Sequence, residues 1–217
     1  MTIRRRDILL GSGAGLTALA VTETGTAESG CASFSAHRST YVLVHGTWHG
    51  GWVWQEVADR LRAAGHRVYT PTCTGCGERF HLTGPEVGLD THITDIMQVL
   101  ECEDLDNVIL VGHSFSGTTI TGVADRLRER IQRIVFFDAL VPREGRMSGI
   151  ARDPDTGDFP KWWKEREKQF IDGYQMDLWQ DYPMEMLVPD TFPEVAAKLR
   201  RLITPHPAKQ WTDELVL

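Results

Sequence analysis

From Tyr41 onward, apolar residues fall into two alternating patterns. Tyr41-Val42-Leu43-Val44 is a short, mostly β-branched run ending at His45-Gly46, the signature of a strand buried on both faces. Trp54, Val57, Ala58 and Leu61 then recur at helical spacing, with Gly65 placed to cap the helix C-terminus. Arg67 to Thr70 reads as a second strand, stopped by Pro71. A loop rich in Gly, Thr and Pro follows from Thr72 to about Gly88. After it, Asp90 or Thr91 can cap a helix whose apolar face is Ile93, Ile96, Met97 and Leu100. Val108 to Val111 gives a third strand, Ile120, Val123, Ala124 and Leu127 mark a third helix, and Ile134 to Phe137 gives a fourth strand.

Four strand–helix alternations with short connections, and strands apolar on both faces, predict an α/β fold: a mostly parallel sheet flanked by helices. Ligands of such sheets bind beyond the carboxyl ends of the strands, where His45, Gly46, Ser114 and Asp138 all fall. The core is expected over residues 41–141. Past Pro142 the pattern changes. Phe159, Trp162, Trp163, Phe170, Tyr174, Trp179, Tyr182 and Phe192 crowd into a charge-interleaved stretch without strand alternation. A helical cap over residues 142–205 accounts for it, with Trp162 and Trp163 as candidate walls of an apolar substrate pocket and residues 206–217 returning toward the core.

The N-terminus has another character. Arg4-Arg5-Arg6-Asp7-Ile8-Leu9-Leu10 precedes a small, uncharged run from Gly11 to Val21 and then Gly25-Thr26-Ala27. This is the pattern of a twin-arginine-type export signal over residues 1–27, joined to the core by a linker over 28–40, and it predicts a periplasmic or secreted protein of bacterial type. The apolar run is too short for a stable membrane anchor.

The net charge of −7 over 217 residues argues against nucleic acid and for a small-molecule partner. Cys73-Thr74-Gly75-Cys76 has metal-like or redox-like spacing, but no second pair completes a zinc site, and the motif does not open a helix. Two loop cysteines with no metal and no organic cofactor are the expectation.

The stretch Val111-Gly112-His113-Ser114-Phe115-Ser116-Gly117 carries the chemistry. At a nucleophile elbow the chain turns so tightly from strand to helix that only small residues fit two positions either side of the serine. Gly112 and Ser116 occupy those positions, Ser116 standing where a glycine is usual. The turn lifts the Ser114 hydroxyl above the sheet and aims the first helical N–H groups at a developing oxyanion. The second oxyanion donor is expected from the loop after the first strand, so Thr47 N–H joins Phe115 N–H. His45 is expected to fix that loop, and His113 to point away from the nucleophile; with Gly46 and Trp48 they complete the candidate pocket.

The segments "YVLVHGTWHGGWVW", "GHRVYTPTCTGCGERFHL", "LDTHITDI", "VILVGHSFSG" and "IVFFDALVP" resemble the α/β-hydrolase superfamily, in the branch of small esterases related to plant methyl-ester hydrolases and hydroxynitrile lyases. The resemblance runs from about Tyr41 to Leu217. It implies a serine carboxylesterase that cleaves small esters with an apolar moiety through an acyl-enzyme on Ser114. Lyases of this branch carry Thr where this chain has Gly46 and an acidic residue where it has His113; both positions resemble the esterases. Family triads run Ser, Asp, His in chain order, the last two after the final strands. This chain stops at "TPHPAKQWTDELVL", so the resemblance implies that those strands, with the usual acid and histidine, are not among these residues. Asp138 and His206 are the candidates left for acid and base. The alternatives are a catalytically incomplete hydrolase-fold protein that binds an apolar ligand, and a hydroxynitrile-lyase-like enzyme. An apolar edge on the last strand is also expected, which a homodimer would hide.

Overall fold

The computed structural model describes residues 38–142, 146–188 and 192–217. The export signal, most of the linker and Cys31 lie outside the described residues. Four strands, β1 (Thr40–Val44), β2 (Arg67–Tyr69), β3 (Val108–Ser114) and β4 (Ile131–Ala139), form one parallel sheet in the order β2-β1-β3-β4. The connections are α1 (Gln55–Ala63), α2 (Leu89–Cys102) and α3 (Ser116–Arg126).

Side-chain alternation along each strand divides the core in two. Val42 and Val44 of β1 and Val108 and Leu110 of β3 face α2 and α3, meeting Ile93, Ile96, Leu100, Ile120 and Val123. Leu43 and Val111 point to the opposite face, against Trp54, Ala58 and Val68 near α1. Each fully buried aliphatic side chain stabilises the fold by about 1.5–3 kcal/mol relative to exposure, so this double-sided burial fixes the strand register.

Several elements run past their sequence limits, β4 among them, which spans Ile131–Ala139. β3 continues through Gly112 and His113 to Ser114, since pairing with β4 carries it beyond the apolar run. α2 starts at Leu89, earlier than a cap at Asp90 or Thr91 would place it, because the Asp213 carboxylate accepts the Leu89 N–H at 2.9 Å from across the chain. Asp213 also pairs with Lys209 at 2.5 Å.

The cap is less purely helical than its composition suggested. It holds α4 (Lys161–Glu167), α5 (Leu178–Asp181), α6 (Met184–Leu187) and α7 (Pro193–Leu202), along with short antiparallel strands. β5 (Arg146–Met147) pairs with β8 (Leu215–Val216), and β6 (Gln175–Met176) pairs with β7 (His206–Pro207). Strands of two residues leave no periodicity to read. Between β7 and β8 lies α8 (Lys209–Thr212), and Leu215 of β8 joins the core beside α2 and α3. At the far side of the sheet the outer edge of β4 pairs with no strand among the described residues, and Phe137 is 57% exposed.

Candidate active site

Ser114 is the last residue of β3, and a single residue, Phe115, separates it from α3. Its φ is +56°, the left-handed region that a side chain enters only at a cost of about 1–3 kcal/mol, so the elbow is a strained turn held by its surroundings. Those surroundings require small residues. A Cβ on Gly112 would come within 2.9 Å of the Ser116 carbonyl, and one on Gly117 would strike the Leu140 carbonyl. Ser116 fits because its hydroxyl donates to the Val44 carbonyl at 3.0 Å and the His113 carbonyl at 2.8 Å, stitching β1 to the end of β3.

The loop after β1 lies against this turn. The buried His45 ring is held by two backbone groups: Nδ1–H donates to the Gly46 carbonyl at 2.9 Å, and Nε2 accepts the Cys73 N–H at 3.1 Å. That tautomer is neutral, and burial pushes the His45 pKa down to about 3. His45 therefore shapes the loop from behind and does not line the pocket wall. Trp48 has φ +66° and is buried as well; its indole N–H donates to the Met176 carbonyl at 3.0 Å, placing the ring inside the cap cluster with Ile150, Trp163 and Leu178. Among the described residues the Thr47 N–H has no hydrogen-bond acceptor.

The two candidate pocket tryptophans separate. Trp163 is fully buried, packed against Phe159 and Phe170 with its indole N–H on Glu167 at 2.7 Å. It is part of the cap's own core, and it also borders a cleft of about 310 Å³ with Glu167, Phe170 and Tyr174, away from Ser114. Trp162 is 56% exposed. His113 neighbours Phe137 and Trp54 in edge-on and tilted ring contacts, and burial lowers its pKa while the Asp138 carboxylate opposes that shift. Asp138 itself stands exposed at the end of β4 with φ +42°.

His206 is buried, with both ring nitrogens occupied. Nδ1 accepts the Trp48 N–H at 3.3 Å, and Nε2 is bonded to Gln210 Oε1. As a base directed at Ser114 it is corrected by this geometry, since a ring with two committed nitrogens and a pKa driven well down by burial has no free lone pair to offer. Among the described residues the Ser114 hydroxyl makes no hydrogen bond, with a histidine or otherwise. Cys73 and Cys76 are buried free thiols whose pKa values burial raises. Among the described residues no group of three or more His, Cys, Asp or Glu side chains is disposed to hold a metal ion, and no helix is long and apolar enough to cross a membrane.

Sequence reasoning missed the residues that grip the loop after β1. Trp211 donates its indole N–H to Thr47 Oγ1 at 3.2 Å and stacks near Phe115, with ring centroids 4.8 Å apart. Thr204 N–H donates to the Trp48 carbonyl at 3.2 Å. Nothing in "TPHPAKQW" signals contact with residues some 160 positions earlier. Two well-formed clefts lie elsewhere. One of 640 Å³ is lined by Tyr69, Arg79, Asp95 and Cys102, and one of 390 Å³ by Thr121, Asp125, Ile134 and Leu217 beside the β4 edge. Neither is lined by Ser114.

The sequence and the fold have counterparts among known proteins. A carbendazim hydrolyzing esterase from Nocardioides sp. (strain SG-4G) is 56% identical over 107 residues, covering 49% of this chain and 44% of that protein. A putative chloroplastic methylesterase from Arabidopsis thaliana is 29% identical over 128 residues, covering 58% of this chain and 37% of that protein. Both matches span less than half of the relative's length. Among solved structures, an extracellular alpha/beta-hydrolase from a Paenibacillus species superimposes with a TM-score of 0.67 at 28% identity, covering 82% of this chain and 71% of that one. The model of the alpha/beta hydrolase family matches residues 41–216, the span that contains the sheet, the elbow and the cap, and the chain belongs to that family.

Proposed function

We propose that the chain is a serine hydrolase that cleaves small carboxylic esters with an apolar moiety through an acyl-enzyme on Ser114. The observation that carries this reading is the strained Ser114 at the end of β3, close to a loop whose Thr47 N–H has no acceptor among the described residues. The Ser114 oxygen attacks the ester carbonyl carbon, and the carbonyl π electrons move onto oxygen. Thr47 N–H and Phe115 N–H receive that oxyanion. Collapse expels the alkoxide, which takes up the proton that a base removed from Ser114, and leaves the acyl group on Ser114; water, losing a proton to the same base, then attacks the acyl carbon, and the proton returns to Ser114 as the acid departs. The first proton transfer needs a base, which no hydrogen bond of the described residues supplies to Ser114. The esterase relatives support the substrate class, and carbendazim, which the 56% identical relative hydrolyses by its name, is the first compound to try. The arginine-led N-terminus supports action outside the cytoplasm.

That the Ser114 hydroxyl has no hydrogen bond among the described residues favours a second reading, a catalytically incomplete member that binds an apolar ligand. Intact mass after treating the folded chain with a fluorophosphonate separates the two. A stoichiometric adduct absent in Ser114→Ala is expected of the hydrolase. A folded chain that takes no label overturns the hydrolase and leaves the binder.

A further inference from the structure

Residues 204–211 reach the oxyanion loop at three points. His206 Nδ1 accepts the Trp48 N–H at 3.3 Å, Thr204 N–H donates to the Trp48 carbonyl at 3.2 Å, and Trp211 donates to the Thr47 hydroxyl at 3.2 Å. A ring nitrogen that accepts an N–H carries no proton, so the proton of the neutral ring is on Nε2, which donates to Gln210 Oε1. Gln210 in turn presents its amide N–H to Thr119 Oγ1 at 3.5 Å. Thr119 belongs to α3, the helix that starts immediately after Phe115. Trp211 makes the same span by a second route, bonded to Thr47 and stacked on Phe115. Burial of the His206 ring beside His92, at 5.7 Å between centroids, favours the neutral form this arrangement requires. Cys76 Sγ lies 3.4 Å from the same Nδ1.

We propose that His206 is a positioning residue of the oxyanion hole: through Trp48 on one side and Gln210–Thr119 on the other, it fixes the distance between the Thr47 and Phe115 backbone donors. The proposal rests on the hydrolase reading for its catalytic consequence, and on the hydrogen bonds alone for the clamp. Two donors on separate elements stabilise an oxyanion only at matched positions, and Trp48, at φ +66°, is a residue whose peptide orientation depends on being held.

The test uses the full chain with two readouts. The first is independent of reactivity: ¹⁵N NMR of the His206 ring, with hydrogen exchange at the Trp48 amide. The clamp predicts an unprotonated Nδ1, a protonated Nε2 and a slowly exchanging Trp48 amide. His206→Leu should speed that exchange, and His206→Asn, whose Oδ1 can stand in for Nδ1, should largely restore protection. A protonated Nδ1, or exchange unchanged in His206→Leu, overturns the clamp. The second readout is the rate of fluorophosphonate labelling. His206→Leu should slow it by about 10²-fold, the scale of losing one oxyanion donor. His206→Asn should recover most of that rate, with the loss in kcat and little change in KM wherever turnover is measured. Gln210→Leu and Thr119→Val break the chain away from the loop and should each give a smaller slowing, which keeps the test open if His206→Leu misfolds. Labelling of His206→Asn as poor as that of His206→Leu overturns positioning in favour of a proton-transfer role. If the wild-type chain takes no label, the hydrolase reading falls, and the exchange measurement alone decides the clamp.

Discussion

Gly46 and Ser114 approach so closely that a methyl group on Gly46 would stand 2.8 Å from the Ser114 Cβ and 2.9 Å from His113 Nδ1. Real Cβ contacts do not reach such distances, so the loop and the elbow are built around the absence of a side chain at residue 46.

Gly46→Ala should therefore push the Thr47 donor away from the elbow while leaving the sheet intact. The expected result is near-native circular dichroism with fluorophosphonate labelling slowed by about 10²-fold, the scale of losing one oxyanion donor. Labelling at the wild-type rate would show that Thr47 N–H takes no part.

Ser116 stands in the place where the motif usually has glycine, and its hydroxyl bonds two carbonyls from different strands. Ser116→Gly should destabilise the chain by about 1–2 kcal/mol, since two buried acceptors lose their donor. In a domain of this size that lowers Tm by about 2–4 °C per kcal/mol, which differential scanning calorimetry reads directly. A rise in Tm would mean that the glycine's fit outweighs the hydrogen bonds.

Trp163 and its neighbour Trp162 should part company on substitution. Trp163→Ala empties the centre of the cap cluster and should cost about 3–5 kcal/mol, whereas Trp162→Ala, at an exposed position, should stay within about 0.5 kcal/mol. Chemical denaturation of the two variants checks the contrast. Equal losses would mean that the edge-on contact between the two rings, 5.8 Å between centroids, matters as much as the burial of Trp163.

Acid should unfold the chain through its histidines. Burial lowers the pKa of His45, His49, His92, His113 and His206, with Asp95 and Arg79 facing His92 and Asp138 facing His113. These rings stay neutral in the folded chain while the unfolded chain takes up protons, so stability present above about pH 6.5 is lost as the pH falls toward the folded values. For His45 the window runs down to about 3. Each such ring contributes a slope of up to about 1.4 kcal/mol per pH unit. Tm measured from pH 8 to pH 4 should fall steadily, and His45→Asn should flatten the curve between pH 6 and pH 4. A slope unchanged by that substitution would remove His45 from the account.

The central sheet was legible because each strand carries a run of apolar residues and each helix an apolar face, as in Val42 to Val44 or Ile93, Ile96 and Leu100. The elbow was legible because a tight turn constrains residue size at Gly112 and Ser116. What escaped reading was the far-reaching polar contact. Asp213 carries no sequence signal that it caps α2, yet it does so through the Leu89 N–H. His206 looked like a spare base, yet both its nitrogens are committed. A hydrogen bond leaves no periodicity, and its partner is chosen by the finished fold. The aromatic content of the cap was visible, but whether Trp163 faced a ligand or its own cluster depended on how short helices settled around it.

The ties on the oxyanion loop also impose an order of events. The bond from Trp48 to His206 closes 158 residues of chain, and that from Trp211 to Thr47 closes 164. Closing spans of that length costs entropy that only an assembled core repays. During synthesis, residues 45–48 and Ser114 leave the ribosome long before residues 204–211 exist, so the strands can pair while the donors opposite the serine are still unfixed. Until residues 204–211 dock, the backbone donors beside Ser114 stand without the ties that hold them.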